Sequence, residues 1–123
     1  MPVIERGALT TSWTRVIPGR EAQALESFAK AMQFNEKLEK QGRIDGSRVF
    51  FAVTGKSRGQ MVLVGRLEEL TRLLTDDEYG ERLREGQLVV EDLEVTLWAG
   101  GAPDTISGAM TVLTQELHEH GLL

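Results

Sequence analysis

The sequence contains no cysteine. That excludes a disulfide framework, a thiolate nucleophile and any zinc site built on sulfur. Its three prolines, Pro2, Pro18 and Pro103, fall where elements would begin or end, so none interrupts a helix or strand. No apolar run approaches the ~20 residues of a membrane span. The opening MPVIERGALT lacks the basic-then-apolar layout of a secretory leader. Positive charge is in deficit: 14 Lys and Arg against 19 Asp and Glu leave a net charge of −5. A chain of that sign has no general basic face with which to displace counterions from nucleic acid. The expectation is a cytoplasmic protein with neither a nucleic-acid nor a membrane partner.

What is present suits a single domain. A chain of 123 residues, 41% of them hydrophobic, buries roughly two thirds of its unfolded surface and needs no staples. We expect one domain over 1–123, with a core at about 9–100 and a C-terminal helix at about 103–119. LTTSWTRVI, rich in β-branched residues, predicts a first strand over Leu9–Ile17. After Pro18-Gly19, the recurrence of Ala22, Leu25, Phe28, Ala29 and Met32 predicts a helix over Arg20–Gln41 with that face buried and Gly42 closing it. SRVFFAVT and QMVLVGR, joined by Gly55–Gly59, read as a hairpin. Leucines 67, 70, 73 and 74 mark a short helix, and Thr75-Asp76-Asp77-Glu78 reads as a capping box opening another near Tyr79–Glu85. A last strand over Leu93–Ala99 precedes the helix opened by Pro103, with Ile106, Met110, Leu113 and Leu117 on one side.

The order is βαββαβ plus a terminal helix. It predicts an α+β, ferredoxin-like fold with a four-stranded antiparallel sheet. Alternation gives each strand two faces. Val49, Phe51, Val53, Met61, Leu63, Val95 and Leu97 would lie under the helices. The other face would carry Phe50, Val62, Val64 and Trp98 among Arg48, Gln60, Arg66, Glu94 and Thr96. Because Arg15 suits a covered core poorly, Trp13 and Arg15 are assigned to that second face, and Ser12, Thr14 and Val16 to the first. So large an apolar patch requires a cover, which predicts a homodimer pairing its sheets about a twofold axis.

The junction Arg15-Val16-Ile17-Pro18-Gly19-Arg20-Glu21, the long helix after it, the segment GRLEEL and the start Asp76-Asp77-Glu78-Tyr79 together resemble the dimeric α/β-barrel superfamily, the group of antibiotic-biosynthesis-type monooxygenases. The resemblance spans Leu9 to Gly100. It implies two protomers closing a barrel, with a ligand cavity between sheet and helices or inside the barrel. It also implies cofactor-free oxygenase chemistry carried by Asn, Trp, and His or Arg residues; Asn35, Trp13 and Trp98 are of those types. Haem-degrading relatives need a histidine ligand, and the only histidines, His118 and His120, lie outside the matching span.

The expected ligand site is therefore the second sheet face: Trp13, Phe50 and Trp98 as an aromatic box, with Arg15, Arg48, Gln60 and Arg66 supplying donors to an aromatic or anionic molecule. No metal or organic cofactor is called for. The competing reading makes the same face only a dimer interface, in an assembly module without catalysis. Other features read as structural. Asn35, Glu36 and Glu39 are assigned to a helix end that overshoots the sheet into solvent. Asp76, Asp77 and Glu78 complement a helix dipole. His118 and His120, two apart on a helix, point in different directions. Gly55-Lys56-Ser57 matches the tail of a phosphate-binding loop, but Phe50 stands where its first glycine belongs and a strand follows. Pro2 could act as an amine base after loss of Met1, as in tautomerases, but the strand signal starts about seven residues later.

Overall fold

A computed structural model describes residues 4–123; Pro2 lies outside them. Strand β1 (Arg6–Trp13) is the centre of the architecture. It pairs antiparallel with β4 (Gly59–Arg66) on one side and with β6 (Glu94–Ala99) on the other. β3 (Gly46–Phe51) flanks β4, so the order is β3-β4-β1-β6. This is the split βαβ arrangement that the element order predicts.

The first strand is shorter than predicted at its far end and bends at Thr14. Beyond the bend, β2 (Arg15–Val16) leaves the main sheet and pairs with β5 (Val90–Glu91) in a separate two-stranded ribbon. The bend resets the inward–outward alternation, and this overturns the predicted faces of strand one. Leu9, Thr11 and Trp13 face the helices with their partners Leu63, Met61 and Gly59, while Ala8, Thr10 and Ser12 lie on the open side. Trp13 and Trp98 thus sit on neighbouring strands but opposite faces.

Helix α1 spans Glu21–Lys40, and Gly42 at φ 72° closes it while the Arg43 N–H bonds to the Leu38 carbonyl at 3.0 Å. A left-handed residue at this point favours glycine. The buried face is offset from the predicted one. Phe34, Asn35 and Leu38 are buried, and the same face runs back through Ala31, Phe28, Ser27 and Ala24, whereas Leu25 and Met32 are exposed. The C-terminal half of α1 carries the core, so Asn35 does not overshoot into solvent; only Glu36 and Glu39 do.

The core joins Leu9, Leu63, Phe34, Leu38 and Ile44 to Leu70 and Leu73 of α2 (Leu67–Leu73) and Tyr79 of α3 (Asp77–Gln87). Asp76, rather than Thr75, is the N-cap of α3: its Oδ1 accepts the Tyr79 N–H at 2.9 Å. Val53, predicted beneath the helices, lies in the exposed β3–β4 loop. Helix α4 (Pro103–Glu119) has the predicted limits but no buried residue. No helix is long and apolar enough to cross a membrane among the described residues.

Candidate functional site

Between the sheet and the helices α1 and α3 lies a cavity of about 460 Å³, within the range of small-molecule sites. Its cause is legible in α1. At Phe34 and Leu38 large side chains fill the space to the sheet, but one to three turns earlier the same face presents Ala31, Ser27 and Ala24. Alongside Phe28 and short of Phe34, these small residues leave space unfilled.

The walls are apolar. Trp13 and Met61 form the sheet side, and Phe51 meets Phe28 at the mouth with ring centroids 6.0 Å apart. Six polar side chains interrupt this lining, Thr11, Glu21 and Ser27 besides Asn35, Tyr79 and Arg82. Asn35 is 6% exposed, and its Nδ2 donates to Met61 Sδ at 3.9 Å, a weak bond to a poor acceptor. Tyr79 is 5% exposed; the Thr11 hydroxyl approaches its own but lies outside hydrogen-bonding geometry, which leaves the phenol without a full partner among the described residues. Arg82 holds Glu85 through both terminal nitrogens, at 3.1 and 3.2 Å, but its buried Nε has no partner. Each buried group left unpaired costs on the order of 1–3 kcal/mol. Two on one cavity wall call for an explanation, and a bound molecule is one.

Burial pushes the Tyr79 phenol above its ordinary pKa of 10.0, with the neighbouring Thr11 hydroxyl opposing the shift. The ring is held from its backbone: Asp76 caps its N–H, and Arg43 holds the second Asp76 oxygen at 3.2 Å. Those hydrogen bonds, the one from the Tyr79 N–H foremost, pull the Asp76 carboxyl below 3.8 against the effect of its burial. A further ion pair, Lys37 to Glu78 at 2.7 Å, ties α1 to α3.

Of the residues assigned to a ligand site from sequence, the structure brings only Trp13 to this cavity. Arg15 grips Glu91 across the β2–β5 ribbon, at 2.5 and 3.1 Å; this bond raises the guanidinium pKa and lowers that of Glu91. Arg48, Phe50, Gln60 and Trp98 do share the open face, where Phe50 and Trp98 are 58% and 54% exposed. Arg66 stands exposed at the end of β4, 3.5 Å from Glu68. The predicted aromatic box therefore does not form, because its first tryptophan faces the helices. The sequence singles out neither Tyr79 nor Arg82 as a site residue, and no local motif marks either. The small residues of α1 at 24, 27 and 31 were the available signal.

No protein-family model matches the sequence, and no curated protein matches it. Among solved structures, the chain resembles a dimeric protein of unknown function with a ferredoxin-like fold from Bacteroides fragilis. The TM-score is 0.58 at 9% identity, covering 77% of this chain and 96% of that one. A NIPSNAP family protein from Agrobacterium tumefaciens aligns at a TM-score of 0.48 and 12% identity, over 85% of this chain and 93% of that one. The fold is ferredoxin-like.

Proposed function

We propose that this chain is a homodimeric small-molecule-binding protein whose ligand is a flat aromatic molecule bearing one phenolic or carbonyl oxygen. The observation that carries the reading is the apolar cavity lined by Tyr79 and Arg82, whose Oη and Nε are buried and unpaired. A ligand oxygen accepting from these donors would recover the hydrogen bonds that folding leaves unmade. Glu85 and Glu81 already offset the Arg82 charge, which favours a neutral or singly charged ligand over a polyanion.

The open sheet face supports a different role. The Trp98 Nε1 donates to Thr10 Oγ1 at 2.9 Å, so the largest aromatic there has no spare donor for a ligand. An exposed apolar face whose tryptophan donor is already satisfied suits contact with protein. The Bacteroides fragilis structure is described as dimeric, which supports self-association. Ligand binding and assembly thus fall on opposite sides of one sheet.

The oxygenase activity implied by the family resemblance is the catalytic form of this reading. Without a cofactor the ligand must supply the electrons: a phenol and dioxygen yield a quinone and water, which balances. Calorimetric titration with 2-naphthol and with 2-naphthoate tests the binding. The expected result is saturation at one ligand per chain, weakened about five- to tenfold in Tyr79→Phe by loss of one hydrogen bond. No saturable heat with either compound would overturn the reading. Oxygen uptake in the 2-naphthol sample separates an enzyme from a binding protein.

A further inference from the structure

Helix α4 is 17 residues long, none of them buried. Ile106, Met110 and Leu113 are exposed and, with Leu117, recur at helical spacing along one side. Such a stripe marks a helix that packs on something, and among the described residues no part of its own chain buries it. The open sheet face likewise exposes Phe50 and Trp98. We propose that α4 is an exchange arm that lies on the open sheet of a second copy of this chain, each protomer giving one arm and receiving another. The inference rests on the dimer in the reading above and specifies what closes it.

Dimensions favour this match. From Ile106 to Leu117 the stripe is about 16 Å long at a rise of ~1.5 Å per residue. Three gaps between four strands span about 14 Å. One row across the sheet, Gly46–Val64–Ala8–Trp98, is free of polar side chains. It gives the stripe an apolar line to follow.

Area favours it too. Four strands of about six residues make a flat face of roughly 400 Å², half of the ~800 Å² per partner that a stable interface needs. A helix of this length covers a strip of roughly 250 Å². One arm given buries the helix strip and one received covers at most the sheet face, roughly 650 Å² per protomer, which comes nearer the ~800 Å² than sheet contact alone.

Charge is complementary. The segment from Pro103 to Glu119 carries Asp104, Glu116 and Glu119 and no Lys or Arg. On the open face, the Arg48 guanidinium donates to its neighbour's carbonyl, Ser47 O, at 2.8 Å, with no carboxylate in ion-pair range among the described residues. An acidic helix arriving from a partner can pair with it.

The absence of cysteine makes the test clean. One tagged copy carries Met110→Cys, a second untagged copy carries Thr96→Cys, and the mixture is treated with a short bismaleimide. The expected product is a mixed cross-linked dimer, and Leu113→Glu should raise the dimer dissociation constant at least about tenfold. A chain carrying both cysteines that instead closes on itself, with no mixed product, would show that α4 covers its own sheet and overturn the arm. A dimer unaffected by Leu113→Glu and without the cross-link would also overturn it, leaving the dimer reading intact. A wild-type chain that sediments as a monomer would overturn both.

Discussion

Trp13 lies over Gly59, its cross-strand partner, so closely that a β-carbon on residue 59 would stand 2.3 Å from Trp13 Cζ2. Glycine is required here by close approach. Gly59→Ala should drive the indole out of its position, at a cost of about 1–3 kcal/mol from overpacking. Because the indole also walls the cavity, ligand affinity should fall with it. Chemical denaturation paired with naphthol titration checks both; an unchanged stability would mean that Trp13 does not rest on this strand.

Tyr79→Phe separates binding from folding. Removing a buried hydroxyl that has no full partner should leave stability unchanged or raise it, since folding no longer has to desolvate that phenol oxygen. The thermal midpoint should hold or rise while ligand affinity falls. A drop of more than about 1 kcal/mol would reveal a hydrogen bond within the protein at that atom.

The same residue gives a pH signature. Tyr79 is the chain's one tyrosine, so phenolate absorbance reports on it alone. Its folded pKa lies above the ordinary 10.0 because burial disfavours the phenolate. Between those two values the folded state binds more protons than the unfolded state, so stability is full below about pH 10 and declines as pH rises through the folded pKa. The phenol should titrate higher in the native protein than in denaturant, and Tyr79→Phe should flatten that part of the alkaline decline.

At the acid end, Asp76 has the opposite sign. Its carboxyl is held below 3.8, first by the Tyr79 N–H. Its contribution is present above that value and lost as pH falls through the lower folded pKa. Asp76→Ala should cost about 1–2 kcal/mol as the loss of a helix cap and reduce the acid dependence of unfolding. Equal acid sensitivity in the variant and the wild type would place the dependence elsewhere.

Phe50→Asp addresses the other face. The ring is mostly exposed in the single chain, so the substitution should leave folding intact while placing an unpaired charge in the proposed interface, which is strongly unfavourable. Sedimentation should show about half the wild-type mass with unchanged circular dichroism. A stable dimer would move the interface off this face.

These residues also show how far local pattern reaches. The hairpin strands and the last strand have readable faces because Val49/Phe50 and Leu97/Trp98 sit within unbroken alternation. Strand one misleads because Arg15 looks like its continuation, whereas the chain turns at Thr14 and delivers Arg15 to Glu91. In α1, the large Leu25 and Met32 outweigh the small Ala24, Ser27 and Ala31 in any count of hydrophobicity, yet the small residues face inward and make the cavity. Tyr79 and Arg82 become a pair of wall donors only when α3 docks beside α1, a relation no spacing encodes.

The cavity is most directly tested by filling it. Ala31 points from α1 into the space that a ligand would occupy, so Ala31→Trp supplies an indole in place of the aromatic molecule. Naphthol should raise the melting temperature of the wild-type chain in a saturable manner, as binding to the native state requires. It should do nothing to a folded Ala31→Trp variant. An identical ligand-induced rise in both proteins would contradict the assignment of this cavity as the binding site.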